Sequence, residues 1–118
     1  MQSRYQNSSP LHNLNLMAFA ITTTNIRLDG SILHGMCKDG KGGPVSSSLD
    51  LNSGIGNING EFNFFRTDFT STARDIYLKD DTLYATLRTD SGSWKQATIN
   101  LNFCVKNESG VLKFTEKP

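Results

Sequence analysis

The chain has 118 residues, 36% of them hydrophobic and 19% charged, with a formal net charge of +1. That suffices for one compact domain with a modest core. No basic stripe or charge run is present, which excludes nucleic acid and anionic membrane as electrostatic partners, and no apolar run approaches a bilayer-spanning length.

Residues 1–17 read as a flexible N-terminal extension. Leu11, Leu14, Leu16 and Met17 are interrupted by His12, Asn13 and Asn15, so no continuous apolar leader forms. The expected location is therefore cytoplasmic, with secretion behind a poor leader as the alternative. Asn7 and Asn107 lie in glycosylation-type triplets that matter only in that alternative. Cys37 and Cys104 are two cysteines in a small chain. Free buried thiols in a reducing compartment are expected of them rather than a disulfide framework.

From Phe19 onward the chain repeats itself at an offset of fifty. Phe19, Thr22, Ile26, Leu28, Leu33, Gly42, Leu51, Asn52, Asn57, Gly60 and Phe64 each recur fifty positions later. These are eleven identities in 46 ungapped pairs, where average residue usage gives about three, so the match is a duplication. Repeat 1 covers 18–65 and repeat 2 covers 66–118, as one intertwined unit.

Within repeat 1, Leu33, Gly35 and Cys37 alternate, as do Leu49 and Leu51; Leu83, Ala85, Leu87, Ile99 and Leu101 do the same in repeat 2. Period two is the strand signature. Gly- and Asp-rich segments at 38–44 and 89–93 read as hairpin turns, and 57–60 and 107–110 as a second turn before a short strand ending in Phe. No long 3.6-residue stripe exists, so helices are expected only as brief turns. The fold class is all-β: short antiparallel strands and hairpins in two pseudo-symmetric repeats. One repeat is too small to cover both faces of its strands, so the two must share a core.

Catalytic chemistry finds no footing. His12 lies in the extension, and His34 is matched by Tyr84 in the second repeat. No Cys/His metal spacing, phosphate-cradling loop or nucleophile elbow is present, and the aspartates fall mostly in turns. The expectation is a non-enzyme with no cofactor and no metal.

The segments Asn25–Gly30, Val45–Gly60, Phe69–Arg74, Ala97–Asn102 and Asn107–Gly110 resemble the cyanovirin-N homology family, with similarity across residues 18 to 115. The resemblance implies an elongated β protein of two lobes, each drawing strands from both repeats. It implies a lectin for mannose-containing oligosaccharides of the high-mannose type, with one site per lobe. A monomer is the expected state, and a strand-swapped dimer opened near Phe65–Asp68 is the other arrangement the family allows. The family's founding pattern has one disulfide per repeat, but the four matching positions hold Thr23, Cys37, Ala73 and Leu87. Neither bridge can form, as in fungal, disulfide-free members.

Carried over by position, the second-lobe site is Asn57, Asn59, Thr67, Asp68, Ser71, Thr72, Arg88, Thr89 and Asp90, with Gly56 and Gly92 lacking polar side chains. The first-lobe site is Thr22, Lys38 and Asn107, with Glu108 beside them; Ala18, Ile21 and Gly40 have lost polar function. Hydrogen bonds to charged groups contribute about 1.5–3 kcal/mol against roughly 1 for neutral ones. Asp68, Arg88 and Asp90 thus make the second lobe the expected stronger site. Asn57 and Asn107 read equally as ligands or as caps of their own turns, and Trp94 as a sugar platform or as hairpin packing. The alternative function is a protein-interaction or structural module on the same fold with sugar binding lost.

Overall fold

The computed structural model describes residues 18–116; the predicted extension over 1–17 lies outside them. The described residues form strands joined by short 3-10 turns. In repeat 1 these are β1 (Thr23–Asp29), β2 (Ile32–Cys37), β3 (Val45–Asp50), β4 (Ile55–Ile58) and β5 (Glu61–Phe64). In repeat 2 they are β6 (Ala73–Lys79), β7 (Thr82–Arg88), β8 (Trp94–Asn100), β9 (Val105–Glu108) and β10 (Val111–Phe114). All pairing is antiparallel: two three-stranded sheets, β1-β2-β3 and β6-β7-β8, and two hairpins, β4-β5 and β9-β10.

The duplication holds down to backbone dihedrals. A register shift interrupts β1 between Thr24 and Arg27 and β6 between Arg74 and Tyr77. Inside it, Asn25 and Asp75 take φ of 54° and 55°. Asn59 and Ser109 match at 51° and 52° in the second turn of each repeat. Asn and Asp tolerate this left-handed region because their short polar side chains bond locally. The turns Leu51–Ser53 and Leu101–Phe103 were not visible as alternation. Asp50 and Asn100 cap them, each accepting the N–H two residues on, at 3.0 and 2.9 Å.

The repeats exchange hairpins. β9-β10 of repeat 2 lies on the first sheet, where Leu112 N–H donates to Ser47 Oγ at 3.0 Å. β4-β5 of repeat 1 lies on the second sheet, where Lys95 meets Glu61 at 3.2 Å. Two asparagines fix the crossing. Asn52 accepts from Thr70 N–H (3.1 Å) and donates to Thr70 Oγ1 (2.7 Å). Its counterpart Asn102 accepts from Ala20 N–H (3.2 Å) and donates to the Asp81 carboxylate. Phe19, Leu33, Leu51 and Ile55 join Phe69, Leu83, Leu101 and Val105 in one buried cluster, so neither half closes a core alone.

Both cysteines are buried and free. Thr23 and Cys37 are cross-strand partners, and the threonine hydroxyl donates to the thiol sulfur at 3.7 Å. The matching pair in repeat 2 is Ala73 and Leu87. Burial pushes the Cys104 thiol up to about 12, which keeps it protonated and unreactive.

Candidate functional site

The second lobe's end is organised around Asn57. Its carboxamide donates to Thr72 Oγ1 at 2.9 Å and to the Arg88 carbonyl at 2.8 Å, and its oxygen accepts Gly60 N–H at 2.8 Å. One side chain thus ties the β4–β5 turn, the turn before β6 and the end of β7. Asn59, two residues on, accepts Asp90 N–H at 3.0 Å. Thr67 backs Gly56, where an added Cβ would stand 2.5 Å from Arg66 Cβ and 2.9 Å from the Thr67 carbonyl. A side chain at Gly56 would therefore run into the linker.

Asp68 adopts φ 65°. Its carbonyl accepts Ser71 N–H (3.1 Å) and Ser71 Oγ (2.8 Å). In the β7–β8 turn, Thr89 Oγ1 accepts Ser93 N–H at 3.2 Å and meets the Ser91 and Ser93 hydroxyls at 3.0 and 2.8 Å. All nine positions thus lie along one bonded surface. Thr72 and Thr89 are half-buried and committed to scaffold bonds, as is Asn57. Exposed Asp68, Arg88 and Asp90, and the amide nitrogen of Asn59, make no side-chain hydrogen bond to the other described residues and face outward. Charged and amide groups held on bonded turns can pair with vicinal hydroxyls, each of which donates and accepts.

The first lobe repeats the clasp. Asn107 donates to Thr22 Oγ1 at 3.0 Å and to the Lys38 carbonyl at 2.9 Å, and accepts Gly110 N–H at 2.8 Å. Thr22, Lys38 and Asn107 are thereby adjacent. Beside them is a hollow of about 310 Å³ whose lining includes Thr22, Thr24, Met36, Lys38 and Pro44. Glu108 is held by Lys113 at 3.1 Å and Lys106 at 3.3 Å, and these ammonium groups, Lys113 first, lower its pKa. This lobe end has a hollow beside its clasp but fewer uncommitted polar groups.

Sequence reading missed two features. Asp39 accepts Lys41 N–H and Gly43 N–H, both at 2.8 Å, and so shapes the 38–44 turn; those bonds lower its pKa. The fifty-residue offset sets it against Thr89, which does the same work in the other turn. The second feature is Arg74, whose guanidinium lies 4.1 Å from the Trp94 ring centroid. By offset these residues match Thr24 and Pro44, so a cation–π pair stands where the first lobe has its hollow.

A family model described as the CVNH domain matches residues 19–113. A curated cyanovirin-N homolog from Tuber borchii is 32% identical over 103 residues, spanning 83% of this chain and 99% of that protein. Among solved structures, the CVNH protein of Gibberella zeae is 36% identical with a TM-score of 0.76, covering 83% of this chain and 97% of that one. Microvirin in its mannobiose complex is 29% identical with a TM-score of 0.75, covering 84% and 99%. The family match over residues 19–113 and the identity over most of both chains agree: the chain belongs to the cyanovirin-N homology family.

Proposed function

We propose that the protein is a non-catalytic lectin for mannose-containing oligosaccharides, with its principal site at the end of the second lobe. The observation that carries this reading is the collar of uncommitted groups there, Asn59, Asp68, Arg88 and Asp90, held on turns that Asn57 and Thr89 have already bonded. The bonded turns matter because the backbone that carries these groups is already ordered before sugar arrives, leaving only the side chains to be fixed, at about 0.5–1.5 kcal/mol each. The mannobiose complex of microvirin supports the choice of sugar. Thr22, Lys38 and Asn107 form the weaker second site. The two buried thiols suit a reducing compartment such as the cytoplasm.

A glycan array with the wild-type chain, Arg88→Ala and Asp90→Ala tests the reading. Binding to mannose-terminated glycans is expected for the wild type, weakened about tenfold or more in each variant, which corresponds to about 1.4 kcal/mol. A wild-type chain that binds no glycan at high protein concentration overturns it in favour of a protein-interaction module.

A further inference from the structure

The outer face of the second sheet carries a row of side chains that the lobe-end site does not use. Along β7, Leu83, Ala85 and Leu87 are buried. Tyr84, Thr86 and Arg88 therefore point to the opposite face, since successive residues of a strand alternate. Their register partners on β8 are Thr98, Gln96 and Trp94. The three pairs form a ladder about 13 Å long, at roughly 3.3 Å per residue, and its last rung is Arg88 of the lobe-end site.

β6 completes the ladder. Tyr77 pairs with Tyr84, their rings parallel with centroids 4.8 Å apart. Arg74 pairs with Thr86 and stacks on Trp94. Beside the tyrosine stack lies a hollow of about 370 Å³, bordered by Asp75, Tyr77, Thr86, Gln96 and Thr98. Tyr77 is 54% exposed and Trp94 41%. The fold does not demand these rings: the first sheet, on the same backbone plan, has Arg27 in place of Tyr77, His34 in place of Tyr84 and Pro44 in place of Trp94. Exposed rings spaced along a polar row, with an amide, a carboxylate and hydroxyls between them, match the alternation of a saccharide chain. Sugar rings present apolar C–H faces that cover aromatic surface and hydroxyls that need polar partners.

We infer that this face is a binding track for a longer saccharide, extending the second-lobe site from Arg88 past Trp94 and Gln96 to Tyr77. The inference rests on the proposed lectin function for its class of ligand. The protein then prefers oligosaccharide chains to their terminal disaccharides.

Calorimetric titration with mannobiose and with linear mannohexaose tests it, using the wild-type chain, Tyr77→Ala and Gln96→Ala. Both substituted side chains lie on the sheet's outer face, and amide dispersion in NMR spectra verifies that the variants fold. Tighter wild-type binding of mannohexaose than of mannobiose is expected. Tyr77→Ala should weaken mannohexaose about three- to tenfold and leave mannobiose unchanged, with Gln96→Ala in the same direction. Equal wild-type affinity for the two sugars, or mannohexaose affinity untouched by both substitutions, overturns the track while leaving the lobe-end site standing. Tyr77-dependent mannohexaose binding without any mannobiose binding supports the track and overturns the lobe-end site instead. No binding of either sugar overturns both.

Discussion

Asn57 and Asn107 hold the same place in the two repeats, and the carboxamide of each reaches into the other repeat. Asn57 bonds Thr72 and the Arg88 carbonyl; Asn107 bonds Thr22 and the Lys38 carbonyl. Each also accepts the N–H of the glycine three residues on, Gly60 or Gly110. Local capping and cross-repeat clasping are thus done by one side chain, and the clasp is what gathers both candidate sites.

Replacing either clasp should lower stability. Asn57→Ala leaves the Arg88 carbonyl and the Gly60 N–H without their partner, at a cost of about 1–3 kcal/mol. Asn107→Ala should behave alike. Urea unfolding should show a lower midpoint at an unchanged slope; an unmoved midpoint would show that the clasp is incidental.

Gly56→Ala should destabilise by about 1–3 kcal/mol, because the new methyl overlaps Arg66 and Thr67. The linker must shift to admit it, and Thr67 and Asp68 shift with it. Thermal unfolding checks the first effect. Weaker sugar binding in the refolded variant checks the second.

Alternation and the fifty-residue offset made most of the fold legible. They located β2, β3, β7 and β8, the paired turns and the need for a shared core, because burial imposes period two along β2 and β7; β1 and β6, broken by a register shift, and the four-residue β4 and β9 left no such pattern. They were silent on the 3-10 turns at Leu51 and Leu101, which are too short to set a period. Asn52 and Asn102 were seen to match without their cross-repeat bonds being visible, since a partner distant in sequence leaves no local mark. Asp39 looked like one turn aspartate among many until the turn it shapes was seen. The Arg74–Trp94 stack was hidden for a related reason: a strand register shift separates Arg74 from Tyr77, and sequence does not show which face a bulged residue takes.

The Thr23–Cys37 pair gives a covalent test of strand register. In Thr23→Cys two thiols face each other across β1 and β2, where cross-strand spacing suits a disulfide. The bond would close a loop of about fifteen residues and stabilise the oxidised protein by about 2–3 kcal/mol. The gain should vanish in reductant. Two titratable thiols persisting at this pair after oxidation would contradict the register.

Asp39 should make stability fall in acid. Its folded pKa lies below the ordinary 3.8, chiefly through the Lys41 and Gly43 N–H bonds. A depressed carboxylate contributes above its unfolded pKa, and the contribution is lost as pH falls through the folded value. Glu108, lowered from the ordinary 4.5 by Lys113 and Lys106, adds in the same direction. Denaturant unfolding at pH 6 and pH 2.5 should show wild type ahead of Asp39→Ala at the higher pH, with the gap shrinking at the lower. A pH-independent gap would refute the assignment.

The most direct measurement is a mannobiose titration followed by residue-resolved amide NMR. Progressive shifts should begin at Asn59, Asp68, Arg88 and Asp90, with any at Thr22, Lys38 and Asn107 appearing only at higher sugar. Shifts confined to the first-lobe group, or none anywhere at saturating sugar, would contradict the account.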